Sequence, residues 1–209
     1  MSEETAGPAQ AHEKRSRAAT RQKLIESAPA VFARQGIDGA SINDLCAAAG
    51  FSRGAFYSNF ETKAELAIAV FGHLARLLTE TLDAQLDRWL ASELDAETMV
   101  ARIVEGVTDR VSNAEEQAVR AELFLAAFRH PELRNDVEPT LELIYGAIER
   151  ALKRVAESRH LIFVIPPEDV SRLLVTSYSG LLMAQMAMGE SARGTQVIPA
   201  IWLSFTRPA

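Results

Sequence analysis

Ser41 to Phe60 reads SINDLCAAAGFSRGAFYSNF, and the reading of this stretch decides the fold. It holds two short helix patterns separated by Gly50-Phe51-Ser52, the spacing of a helix-turn-helix. Ser41 is placed to cap the first helix, with Asp44 three residues on as a weak capping box. Ile42, Leu45 and Ala49 then fall on one helical face. Gly50 stands where the chain must turn sharply, and glycine alone enters a left-handed conformation there without steric cost. Phe51 is apolar within the turn, as expected of a side chain plugging the gap between crossing helices. Ser52 caps the second helix, which begins Arg53-Gly54-Ala55 and continues through Phe56, Tyr57, Ser58 and Asn59. Small residues at its start let the backbone approach a duplex closely, which suits a helix that enters a major groove.

On the C-terminal side, Thr62 and Glu65 form a second capping box and open a long helix running to about Leu90. Lys63 falls in its first turn beside free backbone N–H groups, a natural phosphate position. Leu66, Val70, Phe71, Leu74, Leu78 and Leu82 carry the apolar stripe onward, and Gly72 is a candidate flexure point. On the N-terminal side a helix is expected from Thr20, with Leu24, Ile25, Ala28, Val31 and Phe32 on one face and Gly36 as its stop. Pro29 lies inside that pattern and is expected to bend it. Residues 1–12 are polar, small and proline-containing, and disorder is expected there. The basic run His12 to Arg17 reads equally as an arm tracking phosphates and as a solubilising tail.

Charge distribution favours a nucleic-acid partner although the net charge is −6. Glu13 to Lys63 carries eight basic residues against five acidic, whereas residues 64–209 carry fourteen against twenty-one. No apolar run approaches a transmembrane length, and the start lacks the apolar core of a signal peptide. The single Cys46 excludes an internal disulfide and suits a reducing cytoplasm, so a cytoplasmic protein with no membrane partner is expected. His12, His73, His130 and His160 are scattered, with no metal-ligand spacing, phosphate-binding glycine loop or nucleophile elbow. The residues give an enzyme nothing to work with, and no cofactor or metal is expected.

The rest of the chain reads as helices from Asp95 or Ala96 to Val111, Ala114 to Arg129, Glu132 to Ala156, Pro167 or Glu168 to Met188, and Thr195 to Phe205. Pro139 is expected near a first turn, and Gly189 as a stop. Leu161 to Ile165 is β-branched and aromatic, but Pro166-Pro167 follows at once, so a loop with buried side chains is expected. No strand-period alternation stands out, and the fold class is all-α.

The residues Ser41-Ile42, Ala48-Ala49-Gly50-Phe51-Ser52, Gly54, Phe56-Tyr57, Asn59-Phe60 and Lys63 to Leu66 together resemble the N-terminal domain of the TetR (tetracycline-repressor) family. The resemblance covers roughly Arg21 to Phe71. It implies a basic arm at 1–19, a helix-turn-helix domain at 20–66 with its motif at 41–60, and a helical ligand-sensing and dimerisation domain at 67–209. It also implies a homodimer on a palindromic double-stranded DNA operator, acting as a repressor that a small, mostly apolar ligand releases. The candidate DNA contacts are Ser41, Ser52, Arg53, Gly54, Ala55, Tyr57, Ser58, Asn59 and Lys63. Arg53 suits a guanine or a phosphate, and its position leaves both readings open.

The ligand pocket is implied by the family, with candidates Phe71, His73, Leu74, Leu78, Phe124, Phe128, Ile144 and Tyr145, for each of which ordinary core packing is the competing reading. The last two long helices look too apolar for one core face, and Ser177, Gly180 and Ala184 permit close helix approach. Ile148, Leu152, Leu174, Ser177, Leu181, Ala184 and Met188 are therefore the candidate dimer interface, against burial within one monomer. A helical module that senses a ligand or a protein without specific DNA binding is the alternative function.

Overall fold

The computed structural model describes residues 8–111, 113–188 and 197–209. Nine helices and one short two-stranded ribbon account for nearly all of these residues. The expectations for residues 1–7, for Gly189 and for a helix start at Thr195 lie outside them, as do the side chains of 8–16 in the basic run.

Helix α1 (Pro8–Gly39) begins earlier than expected. Pro8 occupies its first position, where a missing N–H costs nothing, and Ala9, Gln10, Ala11 and Glu13 are good helix formers. Residues 8–19, expected as a disordered arm, are thus its opening turns. Pro29 is accommodated inside the helix and buried. The regular helix ends at Gly36, whose φ of 70° and ψ of 166° break the helical path.

Helices α2 (Ile42–Ala49) and α3 (Arg53–Tyr57) follow, and α4 (Lys63–Leu90) runs without a break through Gly72. Leu24, Val31, Phe32, Leu45, Phe56, Phe60 and Leu66 form the core of this N-terminal head. That core does not stop at the boundary near residue 66: it continues along α4 through Phe71 and Leu74 to Val119, Leu123, Val137 and Ile144.

The body comprises α5 (Ala96–Val111), α6 (Ala114–Arg129), α7 (Arg134–Ser158), α8 (Pro167–Met188) and α9 (Ile198–Ser204), with a 3-10 turn at Pro131–Leu133. Asp95 caps α5 through the Thr98 N–H at 2.9 Å, and Asn113 caps α6 through the Glu115 N–H at 2.9 Å. Pro139 sits a turn inside α7 and does not mark its start. A second core gathers Leu86, Met99, Ile103, Val155, Val170 and the fully buried Trp202.

The stretch expected as a loop is partly a strand: β1 (Leu161–Phe163) pairs antiparallel with β2 (Thr206–Pro208), placing Ile162 opposite Arg207. The ribbon ties the C-terminus to the end of α7, and the architecture remains all-α. Among the described residues no helix is long and apolar enough to cross a membrane.

Candidate functional site

The head presents its helices through side-chain caps. Ser41 Oγ accepts the Asp44 N–H at 3.1 Å, Ser52 Oγ accepts the Ala55 N–H at 3.2 Å, and Thr62 Oγ1 accepts the Glu65 N–H at 3.0 Å. Glu65 reaches back to the Glu61 N–H at 2.7 Å, fixing the entry into α4. Gly50 closes α2 in the left-handed region at φ 74°, and half-buried Phe51 packs on the head core as the turn requires. Cys46 is buried on α2, and burial pushes its thiol up, away from the thiolate.

Between these caps α3 offers Ser52, Arg53, Gly54, Tyr57 and Ser58 to solvent, with Ala55 half-buried behind them. Tyr57 is 50% exposed, and the Arg53 guanidinium lies over its ring at 5.9 Å. Phe56, edge-on to Tyr57 at 5.6 Å, anchors the helix from below. A short helix with one exposed aromatic and one exposed guanidinium on a rigid base is chemically suited to a DNA groove.

Three of the expected contacts also make bonds within the head. Asn59 is only 9% exposed: its amide donates to the Ala55 carbonyl at 2.8 Å and to Ser58 Oγ at 3.1 Å, closing the end of α3. Lys63 Nζ is tied to the carbonyls of Asp38 and of Ala40 (3.0 Å), so its charge holds the turn before α2. The Ser41 hydroxyl donates to Asp44 Oδ2 at 2.7 Å, and this bond helps hold the Asp44 carboxyl below its ordinary range. A carboxylate at the start of α2 repels a phosphate there.

The body holds a partly open cavity of about 410 Å³ between α4, α5, α6, α7 and α8, with Ile198 of α9 also in its wall. Of the expected pocket residues, Phe71, Leu78, Phe124, Ile144 and Tyr145 line it. Phe71 and Phe124 meet edge to face with centroids 6.5 Å apart. His73 and Leu74 instead line a second, more polar recess of about 360 Å³ with Arg110 and Glu116. Phe128, 77% exposed, faces outward and lines neither.

Helix α6 joins cavity to head. Phe124 and Arg120 are in the cavity wall, and Glu122 on the same helix accepts the Ile37 N–H at 3.3 Å. A Cβ on Gly36 would lie 2.9 Å from Glu122 Oε2, so this contact needs glycine for its space as well as its φ. Arg129 at the end of α6 pairs with Asp38 at 3.1 Å.

With this geometry established, comparison with known proteins is decisive. The family described as "Bacterial regulatory proteins, tetR family" matches residues 24–70, and that described as "Tetracyclin repressor-like, C-terminal domain" matches residues 91–201. The HTH-type transcriptional regulator CymR of Pseudomonas putida is 30% identical over 178 residues, covering 85% of each chain. The chain belongs to the TetR family.

The HTH-type transcriptional repressor AcnR of Corynebacterium efficiens is 25% identical over 190 residues, spanning 90% of this chain and 94% of that one. A TetR-family regulator from Mesorhizobium loti shares the fold at a TM-score of 0.72 and 18% identity, over 91% of this chain and 98% of its own. These relatives are regulators of transcription, not enzymes, and the TetR head of this chain is its DNA-binding domain.

The candidate dimer residues divide. Ile148, Leu152 and Leu174 are in the cavity wall, and Leu181 packs on the second core, so these four face into the TetR body. Ser177 is half-buried, and Ala184 and Met188 are exposed, on the same face of α8 as exposed Leu173 and Gly180. Arg120, Glu122, Thr176 and Tyr178 were not anticipated from sequence. Arg120 carried a signal nonetheless, since it stands one turn before Phe124 on a stripe otherwise assigned to the interior.

Proposed function

We propose that this TetR-family chain is a cytoplasmic, dimeric repressor that binds a palindromic operator and is released from it by a small, mostly apolar ligand. The observation that carries this reading is the sharing of α6 between the cavity wall and the Glu122 and Arg129 contacts to the turn before α2. A molecule filling the cavity bears on Phe124 and Phe71, hence on α6 and on the upper part of α4, the two helices packed on the head. Such a ligand acts only through unequal affinity for the DNA-competent and incompetent arrangements of two heads. The exposed α8 stripe Leu173, Ser177, Gly180, Ala184 and Met188 supports a self-complementary helix contact with a second copy. Doubling a five-residue recognition helix supplies the affinity that one copy lacks.

A mobility-shift assay on the DNA flanking the gene tests this. A discrete complex that weakens steeply with salt is expected, because released counterions drive phosphate binding. Tyr57→Ala, at an exposed position outside the core, is expected to weaken it by about tenfold or more. Sequence-blind binding, or a complex indifferent to Tyr57, would overturn the reading.

A further inference from the structure

The cavity is apolar on nearly every side, yet one cation stands in its wall. Arg120 lines it from α6, and its Nε is sealed from solvent with no hydrogen-bond partner. Among the described residues no carboxylate lies within ion-pairing distance of Arg120. Glu116, one turn earlier on α6, lines the other recess with His73 and Arg110. Burial presses the Arg120 pKa below its ordinary value, against weaker opposing pulls from Tyr178 and Glu116. Arg120 as a whole is half-buried, but sealing its Nε–H without a partner is costly and leaves a demand for an acceptor there. Nearby, the Tyr178 hydroxyl donates to Thr108 Oγ1 at 3.1 Å, and Thr176 and Ser179 add hydroxyls to the same wall.

Resting on the reading of this cavity as the effector site, we propose that the effector is an amphipathic monocarboxylate. Its carboxylate forks onto the Arg120 guanidinium, and its apolar body fills the space between Leu78, Ile103, Phe124 and Ile148. Among the described residues a single cation lines the cavity, which matches one negative charge and disfavours a phosphate dianion. The volume of about 410 Å³ suits a small organic acid. The carboxylate chemistry is shared by alkyl and aryl acids, and the probes separate the two.

The test is titration calorimetry of the full chain with decanoate and naphthoate, each against its own primary amide, alongside displacement of bound DNA. At least one acid is expected to bind about tenfold or more tightly than its amide, which keeps the shape but lacks the charge. In Arg120→Met that preference is expected to vanish while amide affinity holds. The acid–amide comparison on the unaltered chain stands even if Arg120→Met fails to fold. Equal affinity of acid and amide, an acid preference that survives in Arg120→Met, or no binding of either acid overturns the proposal. Amides that bind and free DNA as well as the acids leave the effector cavity standing and remove only the anion. Acids that bind through Arg120 without freeing DNA support the carboxylate site and contradict release by the ligand.

Discussion

In the head, Phe32, Phe56 and Phe60 are sealed from solvent and α2, α3 and α4 each start on a side-chain cap. In the body, six helices line a cavity of about 410 Å³, and Phe124, Phe128, Leu173 and Met188 are exposed. The head therefore holds the exposed Tyr57 and Arg53 on a densely packed base. The body leaves a cavity beside its core and keeps apolar side chains exposed on its surface. Packing density separates the head from the body, and α6 touches both.

Substitutions that exchange the two standards of packing test this contrast. The largest effect is expected from Phe56→Ala, where a fully buried ring leaves a void worth about 3–5 kcal/mol by denaturant unfolding. Phe124→Ala, at a ring already bordering the cavity and 41% exposed, is expected to cost under about 1.5 kcal/mol. Equal costs at the two rings would erase the distinction. Ala151→Leu projects new bulk into the cavity and is expected to raise stability by about 1 kcal/mol, with DNA binding kept and ligand response lost. A destabilised variant would show that the space is not available. Ser52→Ala removes the cap of α3 and is expected to cost about 1 kcal/mol, read as a lowered melting temperature with weaker DNA binding. Smallest is Arg129→Ala, which breaks a half-exposed ion pair to Asp38 and is expected to change stability by less than about 0.5 kcal/mol, and less again in high salt.

Legibility followed the range of the forces involved. The caps at Ser41, Ser52, Thr62 and Asp95 and the left-handed Gly50 are local geometry, and the sequence spells them out. The bonds of Lys63 to the Asp38 and Ala40 carbonyls were not legible, because those partners lie more than twenty residues upstream. Asn59 was readable in principle, since a bond to the carbonyl four residues back is a known habit of short polar side chains. In the body, periodicity shows that α7 and α8 are amphipathic but not what each face meets. Ile148, Leu152 and Leu174, assigned from sequence to the dimer interface, line the cavity, a placement that only the packing reveals. The β1–β2 pairing joins segments some forty residues apart, with two prolines masking the first. Arg120 is the instructive omission: a charge on an inward stripe marks either a buried pair or a site, and here no pair is formed.

The most direct test of a dimeric, sequence-reading regulator is selection of bound duplexes from a random pool, with the mass of the selected complex measured under native conditions. An inverted repeat carrying two copies of the chain is expected, with half-site centres about ten base pairs or a multiple apart, set by one helical turn of DNA. Recovery is expected to fail with Tyr57→Ala. A pool with no shared sequence, or one copy per duplex at saturation, would contradict it.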